Sequence, residues 1–390
     1  MKSPVFVTEF AEKSVSSHGF KDKKVYICDM RLMCILAIVF GPWITDMGEN
    51  GFSVLWTSDN ESIGWVQLED GTRVYDEFAG RRMPGRFHSV RLNGLEEGER
   101  VSYSVGIREI INHTNPRRPV YGEEIVDGPY SVRTFTHKSN TCRFTVLNDI
   151  HMDTEIYREH VSHIDVPSTD FVFLNGDIIS AGHYPVDSLA KYDIAPLGDC
   201  AASVPVMFAR GNHEGRGTGV KNVSEVFPNS GDLPFTYMFR EGPAAFLVLD
   251  AGETSVTNSL ALSGDSLYVN YIRNQIEWTS KAVKSPQWRH AKVRICFIHV
   301  PMAFFGDPSE YELCSWLNRN FLPVLNRAGV DLMISADFHE YEYHPAGSLG
   351  NNFPIIVNDD VSRLETRVEG RYINVKIYNR EGDEVHSHSF

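Results

Sequence analysis

Five short stretches of this chain carry side chains of the kind that hold metal ions. They are Asn148-Asp149-Ile150-His151, Asn175-Gly176-Asp177, Arg210-Gly211-Asn212-His213-Glu214, His299 followed by Pro301, and Ser335-Ala336-Asp337-Phe338-His339. Carboxylates, a carboxamide and imidazoles together are the donor set of hard and borderline divalent cations. In Asp149-x-His151 the spacing of two would put both side chains on one side of an extended segment, so that one cation is gripped by both. Asp177 follows a glycine that permits a tight turn and is placed to bridge two cations through its two oxygens. Each stretch alone is better explained by ordinary structural residues. Together, in this order, they point to a metal site.

The stretches share a position as well as a chemistry. Apolar runs at 144–147, 171–174, 205–208, 293–298 and 330–334 each end at one of them. Such runs read as buried central strands, and from Arg143 onward they alternate with helical patterns, as in an α/β domain. Open α/β sheets place their sites at the carboxyl ends of strands, so five exits could converge on one crevice. Alternating runs at 371–377 and 385–388, joined by Asn379-Arg380-Glu381-Gly382-Asp383, predict a hairpin that closes a sheet.

The region from Gly41 to about Thr136 is patterned differently. Short alternating runs such as Phe52-Ser53-Val54-Leu55-Trp56 and Val101-Ser102-Tyr103-Ser104-Val105, punctuated by Asp70-Gly71 and Asn93-Gly94, predict a small antiparallel sandwich without a catalytic cluster.

The ordered set D-x-H, G-D, G-N-H-E, H and x-x-H resembles the calcineurin-like metallophosphoesterase superfamily over residues 143 to about 345. The segments Phe235-Thr236-Tyr237 to Gly242-Pro243, Phe246-Leu247-Val248-Leu249-Asp250, Gln275-Ile276-Glu277-Trp278 and His339-Glu340-Tyr341-Glu342 look like its purple-acid-phosphatase-like branch. Gly41-Pro42-Trp43, Val54-Leu55-Trp56-Thr57 and residues 95–103 look like the fibronectin type III-like domain that precedes many such enzymes, although a sandwich of this kind is as often a spacer or contact module.

The resemblance implies a four-layer α/β metallophosphoesterase β-sandwich flanked by helices at 138–390, an all-β fibronectin type III-like sandwich at 41–137, and an N-terminal segment at 1–40. By position it implies that Asp149, His151, Asp177 and His339 hold one divalent metal ion, and that Asp177, Asn212, His299 and Asp337 hold a second. His213 matches a family histidine that contacts phosphate or protonates the leaving oxygen. The implied reaction is hydrolysis of a phosphomonoester or phosphodiester by water activated between two cations, with a small phosphorylated substrate.

Two positions depart from the family. Ser180 stands where purple acid phosphatases carry a tyrosine ligand, which argues against a tyrosinate-iron centre. Asp337, after Ala336, stands where the family has the first histidine of G-H-x-H. A charged oxygen in place of a neutral nitrogen tilts the second site toward manganese, iron or magnesium rather than zinc, or weakens it, which leaves a binding or scaffold protein as the competing reading. Arg210 and Arg216 read equally as phosphate ligands or loop residues, His344 as a residue that could line the pocket, and His160, His163 and His183 as exposed histidines.

A formal net charge of -14 argues against a duplex nucleic-acid binder. The six cysteines show no C-x-x-C pair and read as buried thiols. The apolar run 32–40 is far shorter than the ~20 residues of a spanning helix, and it reads equally as a degenerate signal or as a first strand, which leaves periplasmic or secreted and cytoplasmic locations open.

Overall fold

Alternation of apolar and polar residues from position 38 to 133 builds one six-stranded antiparallel sheet in the computed structural model, which describes residues 37–181, 184–253, 267–302 and 312–390. The sheet contains β1 (Ile38–Thr45), β2 (Gly51–Leu68), β3 (Arg73–Tyr75), β6 (Pro84–Asn93), β7 (Arg100–Asn112) and β8 (Val120–Arg133), while β4 (Glu77–Phe78) and β5 (Arg81–Arg82) form a separate hairpin. Its first half pairing with β1 and β6 and its second half with β3 and β7, the 18-residue β2 breaks register between Thr57 and Ser62. A strand that breaks register and changes neighbours lets a sheet fold over on itself. At that corner Nε2 of buried His88 meets the Ser62 hydroxyl at 2.9 Å.

The rest of the chain forms two further six-stranded sheets. One has the order β11 (Val206–Ala209), β10 (Phe171–Asn175), β9 (Thr141–Leu147), β18 (Arg363–Glu369), β19 (Tyr372–Tyr378), β20 (Glu384–Ser389). The other has the order β12 (Tyr237–Glu241), β13 (Ala244–Val248), β14 (Val293–Phe297), β15 (Leu332–Ser335), β17 (Ile355–Val357), β16 (Glu342–His344). Parallel pairing links β9, β10 and β11 in one sheet and β13, β14, β15 and β17 in the other, with antiparallel strands outside them.

Phenylalanines at alternate positions hold the two sheets together. Phe173 stacks on Phe297 with centroids 3.7 Å apart, and Phe144 meets Phe246 edge-on at 5.4 Å. Val172 and Leu174, which point the other way, join a second cluster with Tyr157 of α1 (Thr154–Ser162), and Leu247, Ile298 and Met333 join a third with Ile272 of α2 (Tyr268–Ala282). The parallel strands of both sheets are thus covered on both faces, which is why they read as continuous apolar runs, whereas β18 and β19 alternate.

All five expected strands are present, and they divide between two sheets as the four-layer β-sandwich implies: β9, β10 and β11 lie in one sheet, β14 and β15 in the other. The expected C-terminal hairpin is β19–β20, at an edge of the first sheet. Cys142, Cys200, Cys296 and Cys314 are free and buried, as expected, whereas Cys28, Cys34 and His183 lie outside the described residues. So does nearly all of segment 1–40, with β1 beginning at Ile38. Among the described residues no helix is long and apolar enough to cross a membrane.

Candidate metal centre

Each of the five strands ends in a sharp turn, and the turns meet. Asp149, His151, Asp177, Asp337 and His339 all have positive φ, between 47° and 74°. Left-handed backbone is costly for residues other than glycine, and Asp and His are among the types that tolerate it best. The expected extended geometry of Asp149-x-His151 is therefore corrected: the two side chains, 3.8 Å apart, are brought together by left-handed turns and not by strand alternation. Backbone bonds tie the exits to one another, with Asp149 N donating to Gly176 O at 3.0 Å, His151 N to Asp177 O at 2.9 Å and Ala336 N to His299 O at 2.8 Å.

Two glycines make this approach sterically feasible. A Cβ on Gly176 would lie 2.6 Å from both Gly211 Cα and His299 Cγ, and one on Gly211 would lie 2.1 Å from Asp177 Oδ1. Buried Glu214 clamps the same two turns, accepting from Asp177 N and Gly211 N through Oε2 and from Ile178 N through Oε1, each at 2.9 Å. Burial and the Asp177 carboxylate push Glu214 up to about 7.

The donors are aimed by their partners. Asn148 Nδ2 donates to Asp149 Oδ2 at 2.8 Å and Asp337 N donates to the same atom at 3.2 Å. That turns Asp149 Oδ1 toward His339 Nε2 at 3.4 Å and His299 Nε2 at 3.8 Å. His299 Nδ1 donates to the Asn175 carbonyl at 2.6 Å, which directs Nε2 at Asp177 Oδ2, 3.3 Å away, and at Asp337 Oδ1, 3.7 Å away. His151 and His339 face each other with their Nε2 atoms 3.2 Å apart. Asp149 Oδ1, Asn212 Oδ1 and His299 Nε2 are buried without a hydrogen-bond partner. Unpaired buried polar atoms are expensive, and two of these, Asp149 Oδ1 and His299 Nε2, lie 3.8 Å apart, which is the pattern expected of cation ligands.

The electrostatics agree. Burial would lower His299, but the carboxylates of Asp177 and Asp149 hold it well above the ordinary histidine range. Burial would raise Asp177, but His299 and His213 hold it down to about 2. Burial drives Asp337 up to about 7, with Asp177 and Asp149 adding to the rise. Positive charge is favoured between these groups.

At the rim, His213 N donates to Asp177 Oδ1 at 2.8 Å and its Nδ1 donates to the Ser180 carbonyl at 2.7 Å. Its Nε2 is left to accept from Arg216 Nη1 at 2.7 Å, since a guanidinium only donates. Arg216 also pairs with Glu253, which sequence reasoning passed over because it follows no motif and gains its meaning only from the fold.

Other expectations resolve differently. Arg210 is neither a phosphate ligand nor an exposed loop residue; it is buried and paired with Asp250 at 2.8 Å. His160, expected on the surface, is buried on the inner side of α1, while His163 is exposed. His344 pairs with Glu342 at 2.7 Å.

The model of the calcineurin-like phosphoesterase family matches residues 142–341. A purple acid phosphatase from seeds of yellow lupin, Lupinus luteus, is similar in structure with a TM-score of 0.63 at 16% identity, over 89% of this chain and 73% of that one. The GAP50 anchor of the Plasmodium inner membrane complex is similar with a TM-score of 0.46 at 16% identity, over 64% of this chain and 88% of that one. With a family match over half its length and the converging donors just described, this chain belongs to the calcineurin-like phosphoesterase family and is a metal-dependent phosphoester hydrolase.

Proposed function

We propose that the chain hydrolyses small phosphate esters at a centre of two divalent cations, with Asp149, His151, Asp177 and His339 holding one and Asp177, Asn212, His299 and Asp337 the other. The supporting observation is three buried donor atoms without a partner, Asp149 Oδ1, Asn212 Oδ1 and His299 Nε2, the first and last of them 3.8 Å apart. Bound cations would supply Lewis acidity and lower the pKa of water at neutral pH. The carboxylate of Asp337 favours manganese, iron or magnesium over zinc.

His213, fixed by the Ser180 carbonyl, has Nε2 at the rim 3.8 Å from Asp177 Oδ2; once protonated there, with the bond from Arg216 Nη1 released, it would donate to a phosphoryl oxygen or to the departing one. Residues 41–137 would be a fibronectin type III-like domain and 138–390 the hydrolase domain. The likeness to the lupin enzyme supports this division, because it spans more of the chain than residues 138–390 supply.

Elemental analysis of the purified protein, paired with an assay on p-nitrophenyl phosphate, tests the reading. About two equivalents of cation with turnover support it. One equivalent or none without turnover would make the fold a binding scaffold. His213→Ala should lower turnover by about 100-fold with cation content unchanged, and undiminished turnover would remove His213 from the reaction.

A further inference from the structure

We propose that Arg216, held in place by Glu253, recognises the additional charge of a phosphomonoester, and that Glu253 is a positioning residue for both Arg216 and Asn212. This deepens the phosphoesterase reading above and rests on it. Glu253 is only 1% exposed, beyond the end of β13. Its Oε2 accepts from Arg216 Nε at 2.8 Å, and its Oε1 accepts from Arg216 Nη2 at 3.0 Å and from Asn212 Nδ2 at 3.2 Å. A carboxylate only accepts, so the Asn212 amide is fixed with Nδ2 toward Glu253. Its Oδ1 is thereby turned away from Glu253, and that oxygen is buried without a partner.

Arg216 has five N–H donors. Glu253 takes two and His213 Nε2 takes one, which leaves one N–H on each terminal nitrogen. The side chain is 26% exposed, so these donors are reachable from solvent, and the negative charges of Asp177 and Asp337 fall on the same guanidinium. A planar guanidinium locked at one edge is a ready fork for phosphoryl oxygens.

A monoester carries close to two negative charges at neutral pH and three non-bridging oxygens. A diester has one charge and two such oxygens. A fixed cation outside the metal cluster therefore favours the monoester.

The test compares kcat/KM on p-nitrophenyl phosphate and bis-p-nitrophenyl phosphate for the manganese-loaded wild type, Arg216→Gln, Arg216→Lys and Glu253→Gln, with Mn2+ affinity measured by titration of the metal-free proteins. Arg216→Gln should slow both substrates while lowering the monoester-to-diester ratio at least about tenfold, with Mn2+ affinity retained. Arg216→Lys should recover part of that ratio, since it keeps the charge and loses the fork. Glu253→Gln should lower the same ratio and also weaken Mn2+ binding about tenfold or more, because it acts through Asn212 as well.

An unchanged ratio in folded Arg216→Gln, or a wild type that prefers the diester, overturns the proposal while leaving the phosphoesterase reading intact. Glu253→Gln with wild-type ratio and wild-type Mn2+ affinity removes the positioning role. Should Glu253→Gln fail to fold by thermal melt, the two Arg216 variants decide the matter. A wild type that neither binds Mn2+ nor cleaves either ester defeats the phosphoesterase reading itself.

Discussion

Asp and His are at once common ligands of divalent cations and tolerant of left-handed backbone, and at Asp149, His151, Asp177, Asp337 and His339 the proposed ligand role would use both properties. Each such conformation costs about 1–3 kcal/mol, so the turns are held by their neighbours, and Gly211 is the tightest of these contacts. Gly211→Ala, whose Cβ would stand 2.1 Å from Asp177 Oδ1, should weaken Mn2+ binding about tenfold or more and lower the melting temperature; a variant that binds like wild type would show that the turns can move apart. Asp337→His should raise the preference for zinc over manganese about tenfold in a competition titration, and an unaltered preference would take residue 337 out of the ligand set. At this scale the donors were readable because each ends an apolar run. Glu253 and the pairing of Arg216 were not, because their partners are distant in sequence.

Among elements, the helix α1 carries a buried titratable group that helical patterning did not reveal. His160 is 1% exposed, and burial, with Arg363 nearby, pushes it down to about 4. The native state therefore favours the neutral ring. Between pH 6.5 and 4 the unfolded chain takes up a proton that the folded one refuses, so the contribution is complete above 6.5 and is lost as pH falls to 4, by at most about 3 kcal/mol. His160→Leu should flatten the fall of urea-unfolding stability over that window, and an identical slope would assign the acid sensitivity elsewhere. The five central strands were legible because burial on both faces writes itself as continuous hydrophobicity. Their division between two sheets was not legible in the runs themselves and came only with the family resemblance, since an apolar run records burial and says nothing of its hydrogen-bonding partner. For the same reason β18, which inserts antiparallel between β9 and β19, was missed in an alternating stretch with charged outer positions.

For the whole molecule, the phenylalanine layer couples the two sheets and hence the two halves of the site. Phe173→Ala removes the ring stacked on Phe297 and should destabilise the protein by about 3–5 kcal/mol in urea unfolding, against less than about 0.5 kcal/mol for Tyr372→Ala at a position 77% exposed. A small loss at Phe173 would mean that the interior closes over the gap. The formal charge of -14 opposes any incoming phosphate ester, so attraction for it would have to be generated locally, at bound cations and, on the proposal above, at Arg216.

Asp149, Asp177 and Asn212 leave one sheet while His299, Asp337 and His339 leave the other. An ion seated among them acts as a rivet through two slabs. Loading it should stiffen the molecule against shear between those slabs, so that amide exchange slows in β10 and β14 together and at the far ends of both strands, well beyond the turns that touch the metal.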